Sequence, residues 1–224
     1  MEKPKVIFLD AVGTLFGVRG SVGEVYSAIA REFGVEVAQE HLEKAFYQSF
    51  QANNPLTFPQ VSITEIPERE FEWWRAVSYD TFDRVGAIAQ FEDFDSFFLR
   101  LYGEFATPKP WFVYPDIIPA LERWKEDAIE LGIISNFDSR LHAVLEGLDL
   151  RKYFKSITIS SNIGAAKPDP AIFHKALAKH DCEPHCAWHV GDSVKEDYEG
   201  AKEAGLRAIL LKRPRSLSES ENSS

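Results

Sequence analysis

Carboxylates stand directly after short apolar runs, at the points where buried strands would end. Val6–Leu9 is a continuous apolar run that leads into Asp10, and the chain continues through Gly13 to Thr14. Such a run predicts a strand that is buried on both faces. A carboxylate at its end, followed by a glycine turn and a hydroxyl, can act as a nucleophile or metal ligand beside free backbone N–H groups. A capping aspartate in a strand–loop turn is the alternative, and this segment alone does not decide between the two.

A second acidic segment follows another apolar run late in the chain. Ala187–Val190 leads through Gly191 into Asp192, and Asp197 follows within the next turn or two. Two acids beside a strand end can hold a hard cation through oxygen ligands. A merely solvated charge explains Asp192 poorly, because an apolar strand delivers it to the edge of the sheet. After the segment at Asp10, this one is the most specific.

Two further segments carry groups that suit an anion. Ser135 and Asn136 follow the apolar run Leu131–Ile134, and their hydroxyl, amide and turn N–H groups could receive phosphoryl oxygens. Lys167 stands before Pro168 and a helix start, and its ammonium could neutralise charge that develops on a transferring group. Each segment also has an ordinary explanation, as a turn or as a proline-rich helix start.

The elements that must position these groups alternate between strand and helix. This alternation predicts βαβ units and a parallel sheet. Ligands bind outside the carboxyl ends of such strands, so polar segments placed there favour one shared site. The predicted strands are Val6–Leu9, Leu131–Ile134, Ile157–Ile159, Ala187–Val190 and Ala208–Leu211, and the predicted helices among them are Asp116–Glu126, Ala171–Lys179 and Val194–Ala204.

The stretch between the first strand and the rest of the sheet has helical patterns and no strand pattern. Its length predicts an inserted helical domain. We expect a core domain over residues 1–16 and 109–213, a helical domain over residues 17–108, and a disordered tail, rich in serine and glutamate, over residues 214–224. The predicted helices of the insertion are Val22–Phe33 behind a Ser21 cap, Glu40–Phe50, Pro67–Val85 and Asp95–Phe105.

The composition excludes several classes of protein. Apolar residues make up 45 % of the chain, which is enough for a sizeable core. A formal net charge of −10 argues against nucleic acid or an anionic membrane as the main partner. No apolar run is long enough to span a membrane, and the two cysteines imply no disulfide framework. We expect a soluble, cytoplasmic protein, and the sequence does not decide between a monomer and a dimer.

Two other clusters have simpler explanations than a ligand site. A histidine and cysteine cluster suggests zinc, but its spacing matches no usual structural zinc pattern. An aromatic cluster in the helical insertion is more often a packed core than a substrate wall. The first cluster comprises His180, Cys182, His185, Cys186 and His189, and the second comprises Phe71, Trp73 and Trp74, followed by Arg75.

Taken together, the four segments resemble the four motifs of the haloacid dehalogenase (HAD) superfamily. Their order and strand-end positions agree, and the resemblance spans Val6 to Leu211. The helical insertion resembles the C1 cap of subfamily IA, and the wording of the first and last motifs looks nearest to the REG-2-like, HDHD3-like branch. The resemblance implies an α/β fold, with a three-layer Rossmann-like parallel sheet core and an inserted α-helical C1 cap that closes over the site. The segments are Asp10–Thr14, Ser135-Asn136, Lys167-Pro168 and Gly191–Asp197.

The resemblance also implies a role for each matched residue. Asp10 would be the nucleophile that takes a phosphoryl group, with Lys167 balancing charge and Thr14 steadying the loop. Mg²⁺ would be the cofactor. The phosphoryl oxygens would be bound by Ser135, Asn136 and Lys167, and the metal by Asp10, the backbone carbonyl of Val12 and Asp192, with Asp197 completing or orienting that shell.

The chain departs from the family's phosphatases at one position. They carry a second aspartate two residues after the nucleophile, which protonates the leaving alcohol and then activates water, and here that residue is Val12. General acid–base help is typically worth about 10²–10⁴-fold in rate. The leaving group could be acidic enough to depart unaided, a cap side chain or the substrate could supply the proton, or turnover could be weak.

Three functions stay open, and the first is favoured. It is a Mg²⁺-dependent phosphatase that acts on a small phosphorylated molecule, a phosphomonoester, through a phospho-aspartyl intermediate at Asp10. The second is a 2-haloacid dehalogenase, which also lacks the second aspartate. Against it, this chain has an acid at Asp192 and Phe173 where a tyrosine is expected, and the available cap arginines, Arg31 and Arg75, match no motif. The third is a weakly active or inactive regulatory protein that binds a phosphorylated ligand.

Overall fold

The structure, a computed structural model, describes residues 3–213, so the tail predicted over residues 214–224 lies outside the described residues. Short 3₁₀ helices lie at Ile88–Gln90, Arg151–Tyr153 and Pro184–Cys186. In chain order the other elements are β1 (Val6–Leu9), β2 (Phe16–Val18), α1 (Val22–Glu32), α2 (Gln39–Ala52), α3 (Ile66–Arg84), α4 (Phe94–Glu104), β3 (Trp111–Val113), α5 (Ile117–Glu126), β4 (Glu130–Ser135), α6 (Leu141–Gly147), β5 (Ser156–Ile159), α7 (Ser160–Ile163), α8 (Pro170–Ala178), β6 (Ala187–Gly191), a π-helix (Val194–Glu199), α9 (Gly200–Glu203) and β7 (Arg207–Leu210).

β1 is the central strand of a five-stranded parallel sheet with the order β5-β4-β1-β6-β7. Leu9 lies opposite Ile133 of β4 and Val190 of β6. Because successive side chains point to opposite faces, Ile7 and Leu9 enter one core while Phe8 enters another. Helices α5 and α6 cover the first face, and α8 and α9 cover the second. The predicted three-layer α/β core is confirmed, with each predicted strand correct to within one residue at each end.

Helices α1 to α4 form a helical unit with its own aromatic core. Tyr26, Phe82 and Phe97 are fully buried there. The Ser21 hydroxyl accepts a hydrogen bond from the Glu24 backbone N–H at 3.0 Å, which caps α1 as expected. All four helices lie within two residues of their predicted limits, whereas the predicted domain boundaries stay a prediction. Among the residues that the structure describes, no helix is long and apolar enough to cross a membrane.

A short antiparallel ribbon marks the place where the chain enters and leaves the helical unit. β2 pairs with β3, and Gly17 lies opposite Phe112. No sequence pattern predicts these strands, because three residues are too few to show an alternation. Gly17, expected as the first residue of the helical domain, therefore lies within a strand that pairs with the chain's return segment.

The helix predicted over Val194–Ala204 is not one regular helix. Its first part is a π-helix, and the Ser193 carbonyl accepts from the backbone N–H groups of both Asp197 and Tyr198 at 3.1 Å. π-helical turns are rare and often lie at functional sites. The Asp197 side chain packs so closely on Gly191 that a Cβ there would lie 2.1 Å from the carboxylate carbon. The turn thus directs Asp197 to the end of β6.

Candidate active site

The four sequence segments converge at the carboxyl ends of neighbouring strands. Asp10 follows β1, Ser135 is the last residue of β4, and Asp192 follows β6. Each of Asp10, Asp192 and Asp197 offers a carboxylate oxygen, and these oxygens all lie within 4.8 Å of one another. This follows from the topology, since β1 is paired with both β4 and β6 and all three run in the same direction.

Lys167 is buried between two of these carboxylates. Its Nζ donates to Asp10 Oδ1 at 2.7 Å and also to Asp197 Oδ1. Burial alone would lower the pKa of Lys167, but the charges of Asp10 and Asp197 outweigh it and raise that pKa. The ammonium is therefore always charged in the physiological range, and it lies against the oxygen expected to be the nucleophile.

Asn136 holds the backbone of Lys167 from both sides. Its Nδ2 donates to the Lys167 carbonyl at 2.9 Å, and its Oδ1 accepts from the Lys167 N–H at 2.8 Å. The side-chain oxygen of Asn136 is thus engaged in placing the lysine. Both the amide nitrogen and the amide oxygen of Asn136 are therefore bonded to the Lys167 backbone.

His189 is a site residue that the sequence motifs do not indicate. It is fully buried within β6, and its Nε2 donates to Asp197 Oδ1 at 2.8 Å. Burial lowers the pKa of His189, which keeps the ring neutral with its proton on Nε2. The Ser193 N–H donates to the other oxygen, Asp197 Oδ2, at 3.0 Å. Asp197 is therefore held by three donors, which suits an orienting role toward Lys167.

The suspected histidine and cysteine cluster has other partners in this fold. His180 is buried, and its ring nitrogens lie 2.7 Å from Ser156 Oγ and 2.7 Å from Glu130 Oε2. His189 belongs to the acidic site, as described above. Among the described residues, the only group that brings three possible metal-binding side chains together is Asp10, Asp192 and Asp197.

The loop after β1 packs directly against Asp192. Gly13 has a φ of +86°, and a Cβ built on it would lie 2.5 Å from Asp192 Oδ2. Glycine is therefore required twice, by the left-handed backbone and by the close approach. Thr14 is fully buried in the same loop, and its carbonyl accepts from Arg213 at 2.9 Å. The contact at Gly13 brings the segment that follows Asp10 directly against Asp192.

The charge balance of the site suits a divalent cation. Three carboxylates lie close together and Lys167 bonds to two of them, while Glu196 is close enough for its pKa to be affected by the charges of Lys167 and Asp197. Burial raises the pKa of Asp10 to about 7, against the lowering effect of Lys167 and with a further contribution from Asp197. Partial burial and the charge of Asp197 also raise the pKa of Asp192. An excess of oxygen ligands with negative charge fits a hard cation such as Mg²⁺.

A mainly apolar cavity of about 270 Å³ adjoins this site, between the helical unit and the sheet. Val12, Asn136 and Phe137 form its side toward the carboxylates. Arg140 is the charged member of the lining. The remaining lining residues come mostly from the helical unit and are Val18, Val22, Tyr26, Phe46, Tyr47, Phe50, Trp74, Ser78, Phe98, Leu101, Tyr102, Phe105 and Trp111.

An ion pair beside this cavity joins the two parts of the molecule. Arg140 donates from Nε and Nη2 to Asp138 at 2.9 and 2.7 Å, and from Nη1 to the Tyr102 carbonyl at 3.1 Å. Its guanidinium lies 3.8 Å from the Tyr102 ring centroid and 5.1 Å from that of Trp74. Trp74 Nε1 donates to Asp138 Oδ2 at 2.7 Å. The guanidinium of Arg140 is therefore already paired with the carboxylate of Asp138.

A second polar contact joins α3 to the sheet. Glu70 is buried, and its Oε1 accepts from the Ser139 N–H at 3.0 Å, from the Ser139 hydroxyl at 2.8 Å and from the Ser161 hydroxyl at 2.6 Å. Its carboxylate is thus satisfied across the boundary between the helical unit and the sheet. No local pattern around Glu70 indicates this role.

The aromatic cluster of the insertion divides between core and cavity. Phe71 packs edge-on against Phe98 and Tyr102, as expected of a core residue, whereas Trp74 lines the cavity. The two candidate cap arginines lie elsewhere. Arg75 pairs with exposed Asp95, and Arg31 donates to a carbonyl of its own helix, so neither lines the cavity.

Comparison with known proteins identifies the class. A family model described as haloacid dehalogenase-like hydrolase matches residues 4–205. The chain therefore belongs to the haloacid dehalogenase-like hydrolase family, and it is a hydrolase.

Within that family the chain belongs to the branch of haloacid dehalogenase-like hydrolase domain-containing protein 3. It is 33 % identical to that protein from Bos taurus over 218 residues, which cover 95 % of this chain and 84 % of the relative. It is also 30 % identical to the rhythmically expressed gene 2 protein of Drosophila melanogaster over 219 residues, which cover 94 % of this chain and 84 % of the relative.

Solved structures of both enzyme types share the fold. A HAD phosphatase from Thermococcus onnurineus matches with a TM-score of 0.59 and 24 % identity, covering 95 % of this chain and 88 % of its own. L-2-haloacid dehalogenase from Xanthobacter autotrophicus matches with a TM-score of 0.67 and 19 % identity, covering 96 % of this chain and 80 % of its own. The fold thus serves both chemistries, and the choice between them depends on the site residues.

Proposed function

We propose that this protein is a Mg²⁺-dependent phosphatase that hydrolyses a small phosphomonoester through a phospho-aspartyl intermediate at Asp10. The observation that carries the proposal is the convergence of Asp10 and Asp192 with Lys167 donating to the Asp10 carboxylate. We further propose that the helical unit acts as the C1 cap and that the protein works on a soluble metabolite in the cytoplasm.

In this proposal the reaction proceeds in two steps at Asp10. An Asp10 oxygen attacks phosphorus, and the bond to the leaving oxygen breaks with its electron pair on that oxygen. Water then attacks the aspartyl phosphate, which releases inorganic phosphate and restores the carboxylate. Lys167 offsets the charge between Asp10 and the phosphoryl group, while Ser135 and the Asn136 backbone N–H donate to its oxygens.

The acidic cluster would hold the cofactor. Asp10, Asp192 and the Val12 carbonyl supply oxygen ligands, and Asp197 orients the neighbouring Lys167. When bound, Mg²⁺ lowers the negative charge of the site and polarises the phosphoryl group. Gly13 keeps the first loop close to Asp192, so that ligands from both segments can reach one cation.

A 2-haloacid dehalogenase is the second candidate, and Val12 is the observation in its favour. A halide needs no proton to leave, so valine at this position would cost that reaction nothing. Two residues argue against a dehalogenase. The carboxylate of Asp192 is not needed for that reaction, and Phe173 stands where those enzymes have a tyrosine. The Phe173 ring is buried and packs edge-on against His189, with the ring centroids 5.2 Å apart. The cavity also offers no unpaired arginine among the described residues for a haloacid carboxylate.

A binding role without appreciable turnover is the third candidate. It is also motivated by Val12, since the missing acid–base group would slow both chemical steps. It predicts that a phosphorylated ligand binds at Asp10 and Lys167 while phosphate release stays at background.

One paired assay separates these candidates. Full-length protein is incubated with p-nitrophenyl phosphate, with Mg²⁺ or with a chelator, and in parallel with 2-chloropropionate and halide detection. The phosphatase proposal predicts phosphate release that needs Mg²⁺ and is lost in Asp10→Asn. Asp95→Asn, at an exposed position of α4, is the matched control and should keep full activity. Halide release that ignores the chelator would establish the dehalogenase instead, and silence in both assays would favour the binding role.

A further inference from the structure

The cavity borders the two segments that carry Asp10 and Ser135. Its wall toward the site is formed by Val12, two residues after Asp10, and by Asn136, directly after Ser135. A phosphoryl group held at Asp10 and Ser135 would therefore have its ester substituent toward the cavity. The aromatic residues of the helical unit enclose the other side, so the cavity determines which substituents fit.

The walls favour a flat apolar group. Phe46, Phe50, Trp74, Phe105 and Trp111 all line the space, and aromatic walls stack well on a ring. The volume is about 270 Å³, and an apolar protein cavity of about 150 Å³ is already enough to bind benzene. The volume is therefore large enough for one or two fused rings.

The cavity also disfavours a charged leaving group. Arg140 is the one charged residue of the described lining, and its guanidinium is already bonded to the Asp138 carboxylate through two nitrogens. The Tyr26 and Ser78 hydroxyls lie 3.1 Å apart and bond to each other. An anionic substituent would find no unpaired cation there, so burying its charge would be costly.

The residue two positions after Asp10 also favours an aromatic leaving group. By the family resemblance, Val12 stands where the phosphatases carry the acid that protonates the leaving oxygen, and its methyl groups cannot assist a basic alkoxide. A phenol has a pKa of about 10, far below that of an aliphatic alcohol, and its anion leaves without a proton. An aromatic leaving group therefore suits the apolar, aromatic walls of the cavity, and it can depart without the missing acid.

We propose that this site is specific for aryl phosphates, phosphomonoesters of an uncharged phenol whose ring occupies the cavity between the helical unit and the sheet. The proposal rests on the phosphatase function proposed above. The phosphorus–oxygen bond breaks with its electron pair on the phenolate oxygen, which takes a proton from water after release, and the phosphoryl group passes to Asp10.

The first test compares two esters that differ in the acidity of the leaving group. Phenyl phosphate and benzyl phosphate both carry one ring, but benzyl alcohol is an aliphatic alcohol. With full-length protein and Mg²⁺, kcat/KM should be at least about 100-fold higher for phenyl phosphate, the low end of general acid assistance. Val12→Asp should narrow the difference at least tenfold by accelerating benzyl phosphate. Equal rates for phenyl, benzyl and glycerol phosphates would overturn the specificity and leave the phosphatase function standing.

The second test addresses the cavity. Val22 and Val25 are half-buried neighbours on α1, and of the two only Val22 lines the cavity. Val22→Phe should raise KM for 1-naphthyl phosphate at least tenfold, whereas Val25→Phe should leave it unchanged. Equal KM values in the two folded variants would contradict the placement of the ring.

A third measurement needs no variant. In the wild-type protein, 1-naphthol should inhibit hydrolysis of phenyl phosphate competitively, and 1-naphthoate should be at least tenfold weaker, because the cavity holds no unpaired cation for its carboxylate. Equal inhibition by the two compounds would refute the inference. Absence of phosphate release from every ester would refute the phosphatase function and, with it, this specificity.

Discussion

Lys167→Met should destabilise the fold strongly, because it removes the ammonium that lies between the buried carboxylates of Asp10 and Asp197. Asp10 is 7 % exposed and Asp197 is 1 % exposed, and both accept from Lys167 Nζ. Removing one partner of a buried ion pair costs about 3–5 kcal/mol, since it leaves the other charge uncompensated. Native chains of this kind are stable by about 5–15 kcal/mol in total. For a chain of this size, the melting temperature should fall by roughly 6–20 °C.

The assay is thermal and denaturant unfolding of the wild type and the variant in the presence of a chelator, followed by circular dichroism. Lys175→Met is the matched control, because Lys175 lies exposed on the neighbouring helix α8. Its unfolding free energy should stay within about 0.5 kcal/mol of the wild type. Adding Asp197→Asn to Lys167→Met should recover part of the loss, because the buried charge of Asp197 is then removed as well.

A loss below about 1 kcal/mol for Lys167→Met, or no difference from Lys175→Met, would refute this reasoning. So would a double variant that is less stable than the sum of its single changes. Either result would mean that the ammonium of Lys167 does not stabilise the carboxylates of Asp10 and Asp197 in the folded protein.

Three further predictions concern the loop, the missing acid and the contact with the helical unit. Gly13→Ala should weaken Mg²⁺ binding at least tenfold by calorimetry, because the new Cβ would displace Asp192; unchanged affinity would argue against the close approach. With phenyl phosphate, rapid mixing should show a burst of about one phenol per enzyme, because water attack on the aspartyl phosphate lacks a base. Val12→Asp should abolish the burst by accelerating this second step. A burst that persists in Val12→Asp would count against Val12 as the position of the missing base. Burial raises the pKa of Glu70, so the folded state holds the Glu70 proton more tightly than the unfolded state does, and this contribution to stability is lost as the pH rises above 4.5 through the raised value. Glu70→Gln should flatten that part of the plot of unfolding free energy against pH, measured by urea unfolding. Parallel plots for the variant and the wild type would contradict the burial argument.

Much of the sheet and of the acidic site can be predicted from the sequence, because both depend on local patterns joined by one topological rule. A continuous apolar run such as Val6–Leu9 identifies a buried strand by itself. Once several such strands are taken as parallel, their carboxyl ends must lie together, which brings Asp10 and Asp192 to one place. The convergence of these side chains agrees with that expectation.

What the sequence does not predict are contacts between distant segments and strands too short to show a pattern. His189 looks like any buried strand residue, and its partnership with Asp197 depends on the π-helical turn. Glu70 lies on a helix with many surface acids, and only the tertiary fold brings Ser139 and Ser161 to it. Asn136 could be predicted as a polar site residue, but not as the group that holds the Lys167 backbone.

The most direct test of the central claim is to trap and locate the covalent intermediate. The protein is mixed with phenyl phosphate and Mg²⁺, quenched in acid within the burst, digested and analysed by mass spectrometry. We predict one added phosphoryl group on the peptide that contains Asp10, absent in Asp10→Asn and absent when a chelator replaces Mg²⁺. Phosphate release in the same mixture without any phosphoryl group on Asp10, or with the group on another residue, would contradict it.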